Sequence, residues 1–124
     1  MFVVSGLRKA WVGFDFDGTL VDHQFPNIGD NIQPNVDFLK RLIKSGVECR
    51  IITARATEKQ SLETKRYHIE LLSEWCNKNL GHGLEITCSK DYDMLWMVDD
   101  RAYNSGPKGL DNEVKNWLLR ALDM

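Results

Sequence analysis

Val12-Gly13-Phe14-Asp15-Phe16-Asp17-Gly18-Thr19-Leu20 joins an apolar run to two carboxylates, a glycine and a hydroxyl. Lys9 to Phe16 reads as a buried strand. Alternation along it places Asp15 and Asp17 on one face, at its carboxyl end. That is the end where open α/β sheets bind their ligands. Two carboxylates this close repel unless a proton or a divalent cation compensates them. A packed core gains nothing from such a pair, so the segment reads as a site.

The pattern repeats downstream. Residues 18–33 form a loop or flap rich in Gly, Asn, Asp and Pro. Asn35 to Lys44 carries Val36, Leu39, Leu42 and Ile43 at helical spacing, and Gly46 supplies a stop. Val47 to Thr53 reads as a second strand. Thr57-Glu-Lys-Gln60 resembles a capping box opening a long helix, with Leu62, Ile69, Leu72 and Cys76 as its apolar stripe and Gly81 as its end. Leu84 to Cys88 is a third strand and Leu95 to Val98 a fourth, ending in Asp99-Asp100. Asp111 reads as the N-cap of a last helix, with Val114, Trp117, Leu118 and Ala121 facing inward. Strands alternating with helices predict βαβ units and a mainly parallel α/β sheet.

The chain of 124 residues predicts a single domain over 1–124. Its apolar fraction of 43% and charged fraction of 27% are those of a globular protein. A net charge of −2 gives no support to a general nucleic-acid binder, although it leaves a local patch open. No apolar stretch is long enough for a membrane helix. The opening Met1-Phe-Val-Val-Ser-Gly-Leu-Arg-Lys9 does not read as a signal peptide. Cys49, Cys76 and Cys88 are odd in number and widely spaced, which argues against a disulfide framework or a zinc site. A reducing, cytoplasmic setting is therefore expected. Cys49 and Cys88 sit in apolar runs and read as core.

Three strands end in polar residues, Asp15-x-Asp17, Thr53 and Asp99-Asp100, drawn from distant parts of the chain. Parallel topology brings them to one edge. Several carboxyl oxygens suit Mg²⁺, which can neutralise both a carboxylate nucleophile and a phosphate dianion. A hydroxyl and backbone N–H groups after the second strand could hold phosphate oxygens, and a lysine such as Lys90 could add fixed positive charge.

These residues resemble the haloacid dehalogenase (HAD) superfamily of phosphohydrolases. Asp15-Phe-Asp17-Gly18-Thr19 matches its first motif, Ile51-Ile-Thr53-Ala-Arg55 its second, and Met97-Val-Asp99-Asp100-Arg-Ala102 its fourth. Lys90 is the natural candidate for the third. The likeness spans residues 10–102. It implies a three-layer α/β/α Rossmann-like fold and a phosphatase. Asp15 would attack phosphorus to give an aspartyl-phosphate, and Asp17 would serve as general acid and then general base. Mg²⁺ would be held by the Asp15 side chain, the Asp17 backbone carbonyl and the Asp99-Asp100 pair. Thr53 and the Ala54 N–H would bind the phosphoryl group, with Gly18, Thr19, Arg55 and His23 beside the substrate. Lys108 or Arg55 could replace Lys90. The second Asp disfavours a dehalogenase.

Neither gap between motifs holds a cap domain, so a capless member with an open site is implied, covered at most by the 21–33 flap or another subunit. The substrate would be a phosphorylated small molecule or an exposed phosphate on something larger. Nucleotides and nucleic-acid ends belong to that range, but the charge does not favour long polynucleotides. The flap Val21-Asp-His23-Gln-Phe25-Pro-Asn-Ile-Gly29 and the ending Val98-Asp-Asp-Arg-Ala102 also resemble those of small bacterial and phage hydrolases.

Simpler readings stand beside these. Asp15 and Asp17 could be a solvated turn, Asp99-Asp100 a capping turn, and Thr53 a helix cap, although Thr57 fits that role better. His23 and Phe25 could touch substrate or only order the flap. His68 reads as a helix-surface residue, His82 as part of a Gly-His-Gly turn, and Trp75, Trp96 and Trp117 as core. Glu70, Glu74 and Lys78 read as a solvated face. A non-catalytic binding module on the same scaffold is the alternative of a different class. A phosphotransferase would need a lid that the chain lacks.

Overall fold

Among the described residues four short strands carry the sheet. The computed structural model describes residues 10–101 together with Asn116, Leu119 and Arg120. Within them the order is β1 (Trp11–Phe14), α1 (Gln33–Lys44), β2 (Glu48–Ile52), α2 (Leu62–Leu80), β3 (Glu85–Thr87) and β4 (Met94–Val98). All pairings are parallel and the strand order is β3-β2-β1-β4. The chain steps outward from β1 to β3, then returns to the other side of β1. The order therefore reverses between β1 and β4, and their carboxyl ends open the crevice in which such sheets bind ligands. Phe14 lies opposite both Ile51 and Val98, so the central strands end level.

Helices α1 and α2 both contribute to one core cluster with the sheet. Phe14, Phe16, Cys49 and Ile51 share one buried cluster with Val36 and Leu39 of α1 and Leu72, Trp75 and Cys76 of α2. Each large side chain removed from water there contributes about 1.5–3 kcal/mol. Trp75 meets Phe16 edge-on at 5.3 Å and donates its indole N–H to Asn31 Oδ1 at 2.9 Å. Asn35 of α1 donates to the Thr19 carbonyl at 2.8 Å, which ties the helix to the loop after β1.

The segment after β1 is a rooted flap. Leu20 and Val21 are fully buried. Asp22 N donates to Asp30 O at 2.8 Å and Ile32 N to Leu20 O at 2.8 Å, pairing the two stems of the loop. The tip, around His23 to Asn27, is exposed.

Several local expectations are corrected. The long helix opens at Ser61, whose side chain accepts from Thr64 N; Thr57, the expected cap, instead closes a 3₁₀ turn at Ala54–Ala56, and its hydroxyl accepts from Lys59 N at 3.3 Å. Leu62 therefore sits in the first turn, 62% exposed, rather than in the apolar stripe. His68 is buried, not on the helix surface. Trp96 is 60% exposed and Cys88 is exposed, so neither is core. No helix links β3 to β4, since residues 88–93 are too few to form one and cross back. Cys49, Cys76 and Trp75 are buried, α2 ends at Gly81 in the left-handed conformation, and Glu70, Glu74 and Lys78 face solvent as read. The last helix from Asp111 with Val114, Trp117, Leu118 and Ala121, together with Ala102 and Lys108, lies outside the described residues. Among the described residues no helix is long and apolar enough to cross a membrane.

Candidate active site

Asp15 follows β1 directly, and its backbone N–H donates to Val98 O at 2.9 Å, so the carboxylate stands at the reversal point beside the end of β4. One oxygen from each of Asp15, Asp99 and Asp100 lies within 4.8 Å of the others. Burial pushes the Asp15 carboxyl up to about 6, and the charge of Asp99, then that of Asp100, adds to the rise. Partial burial works against charge on Asp100 as well. The hydrogen bond from His23 and the local bonds around it outweigh that effect and hold its carboxyl below the usual range. His23 Nε2 stands 3.3 Å from Asp100 Oδ2.

The loop after β1 braces this cluster. The Thr19 hydroxyl, 2% exposed, donates to Asp15 Oδ2 at 3.3 Å and accepts from Asp100 N at 3.1 Å. It links the ends of β1 and β4. Gly18 adopts φ +88°, and a Cβ there would collide with His23 Nε2 and Asp100 Oδ2. Gly18 and Thr19, both read as substrate contacts, are thus framework residues in this structure. Gly18→Ala is expected to cost about 1–3 kcal/mol and to displace His23 and Asp100 together. Thermal denaturation and the cation dependence of Tm check it.

Asp17, Thr53 and Arg55 close the other side. Thr53, 4% exposed, accepts from Arg55 N at 3.1 Å and lines the cavity. Arg55 is 3% exposed, and its guanidinium grips both oxygens of Asp17 at 2.7 Å. The residue expected near substrate lines the cavity and is also a buried partner of Asp17. The pairing spans 38 positions in sequence. The one sequence signal for it is a cation two residues past the strand-ending Thr53.

These pieces line one cavity of about 410 Å³, with Asp15, Asp17, His23, Thr53, Asp99 and Asp100 around it. That volume is in the range of small-molecule sites. Ala54 and Arg55 also reach it, and Phe25 stands at its wall, 63% exposed. Lys90 is exposed and is not among the lining residues. The donor set suits a hard divalent cation. Three carboxylate oxygens converge, and the one most buried among them carries the charge that most needs compensation.

No family model and no curated sequence matches this chain. A conserved protein of Bacteroides thetaiotaomicron has a similar structure, with a TM-score of 0.52 and 20% sequence identity over 94% of this chain and 93% of that one. At that identity the likeness concerns the path of the chain, and the chain has an α/β fold around a parallel sheet.

Proposed function

We propose that this chain is a Mg²⁺-dependent phosphomonoester hydrolase that works through an aspartyl-phosphate on Asp15. The observation that carries the reading is the placement of Asp15, half-buried at the reversal point of the sheet, with the oxygens of Asp99 and Asp100 within 4.8 Å and Thr53 across one cavity. When bound by Asp15, Asp99 and Asp100, the cation supplies positive charge that lets two anions approach. Asp15 Oδ attacks phosphorus, and the P–O bond to the leaving group breaks with its electron pair going to that oxygen. Asp17 supplies the proton that the leaving oxygen takes up. Asp17 then accepts a proton from water as the water oxygen attacks phosphorus. The bond from phosphorus to Asp15 breaks, restoring the carboxylate and releasing inorganic phosphate. Thr53 and the backbone at Ala54 hold the phosphoryl oxygens.

A capless, open cavity suits a phosphorylated small molecule or a phosphate displayed on a larger substrate, and a second subunit would be one way to cover it. A second reading, binding without turnover, draws on the grip of Arg55 on both oxygens of Asp17. Phosphate release separates the two. The panel comprises an aryl phosphate, 5′- and 3′-nucleotides, sugar phosphates and an oligonucleotide with a terminal phosphate, each with Mg²⁺ or with EDTA. Release that requires Mg²⁺ supports the hydrolase. Mg²⁺ binding with no release from any member favours the binding module.

A further inference from the structure

Arg55 is the most heavily committed side chain near the cavity. Its Nε–H donates to Asp17 Oδ2 at 2.7 Å, and one Nη2–H to Asp17 Oδ1 at 2.7 Å. The other Nη2–H donates to Asn27 O at 2.9 Å. Nη1 donates to Pro26 O at 2.9 Å and meets His68 Nδ1 at 3.2 Å. A guanidinium has five N–H donors and no acceptor, so every donor is spent and His68 Nδ1 must be the acceptor in its bond. Burial, and then the charge of Arg55, push His68 below its usual range and keep it in that neutral form. The backbone is pinned as well. Arg55 N donates to Thr53 Oγ1 at 3.1 Å, and Arg55 O accepts from Gln60 Nε2 at 2.6 Å. Phe25 lies over the guanidinium, 4.9 Å from its central carbon.

Nothing on Arg55 is left to hold a phosphate. The fork instead takes one lone pair from each Asp17 oxygen and fixes the plane of the carboxylate. Each oxygen keeps a second lone pair, and Asp17 lines the cavity. We infer that Arg55 is a positioning residue that aims Asp17 into the cavity and seats the flap, through Pro26 and Asn27, on the same guanidinium. The part concerning Asp17 rests on its acid–base role proposed above. Flap and acid–base group then move as one unit, so a substrate that presses on the flap also acts on the orientation of Asp17.

The test compares Arg55→Lys with the wild type on two substrates, an alkyl phosphate and 4-nitrophenyl phosphate. The alkyl leaving group needs a proton from Asp17 and the nitrophenolate does not. The parameter read is kcat/KM, which ends at leaving-group departure, so hydrolysis of the aspartyl-phosphate does not blur it. Lysine keeps the charge and loses the fork. The expected loss is about 100-fold on the alkyl phosphate and under about tenfold on the aryl phosphate, with faster amide exchange across residues 22–30. A purely structural role would lower both substrates alike. His68→Leu, which removes one acceptor of Arg55 and leaves Asp17 intact, is expected to show the same selectivity at about threefold to tenfold. It serves if Arg55→Lys does not fold. Equal losses on both substrates overturn the aiming of Asp17, and unchanged exchange in the flap overturns its seating. If the wild type releases phosphate from neither substrate and from no member of the panel above, the hydrolase reading falls and the aiming role with it, while flap exchange still decides the seating.

Discussion

Replacing Asp15 by Asn is expected to abolish phosphate release, by at least about 10⁴-fold, as loss of a nucleophile does elsewhere. An amide has no charge to bring to phosphorus and cannot form the mixed anhydride. The same change is expected to strengthen the fold when no divalent cation is present. The Asp15 carboxyl is pushed up to about 6 by burial and by Asp99 and Asp100, so its charged form is disfavoured in the folded chain. A stable, dead variant separates a chemical role from a structural one, because a framework residue loses stability and activity together. Circular dichroism and phosphate release on the same preparation check it.

The second large effect follows from the same carboxylate. Its folded-state value of about 6 lies above the ordinary 3.8, so folding favours the protonated form. The stability this provides is fully present below about pH 4 and is lost as pH rises through about 6. Above that, the uncompensated charge costs about 2 kcal/mol after solvent screening is allowed for. Without a divalent cation, the Tm of the wild type is expected to fall below that of Asp15→Asn across this window. The gap should reach roughly 6–10 °C above about pH 7. Mg²⁺ at neutral pH is expected to close the gap by raising the wild-type Tm and leaving that of Asp15→Asn nearly fixed. EDTA restores the gap. Scanning calorimetry from pH 4 to 8, with and without Mg²⁺, reads all of this.

The acids and Thr53 were legible in the sequence because strand ends are. An apolar run that stops at Asp15, Thr53 or Asp99 announces both the element and its polar tip, and parallel topology brings such tips together. The reversal of strand order at β1 could not be read, since pairing partners leave no local trace. The Arg55–Asp17 pair leaves only a weak signal, the cation two residues past Thr53, for the same reason. Its donors reach across the fold, and Arg55 looked like any cation near a phosphate site. His68 reads as surface because its neighbours Lys65, Arg66 and Glu70 are polar, while its burial rests on the Arg55 guanidinium and the stacked Phe25 ring, both distant in sequence. Thr57 reads as the cap from its spacing, yet it closes a short 3₁₀ turn and Ser61 caps the helix, a shift that composition does not mark. Trp96 is apolar and sits in a strand, yet faces outward, which periodicity over so short a run does not decide.

The nucleophilic role of Asp15 is reached most directly by trapping the phosphoryl-enzyme. The chain is mixed with Mg²⁺ and the best phosphomonoester of the panel, quenched in acid within a turnover, and digested for peptide mass analysis. One added phosphoryl group is expected on the peptide that contains Asp15, lost on treatment with hydroxylamine and absent from Asp15→Asn. Phosphate release by the wild type with no phosphoryl group on that peptide, or with the group on another residue, would contradict it.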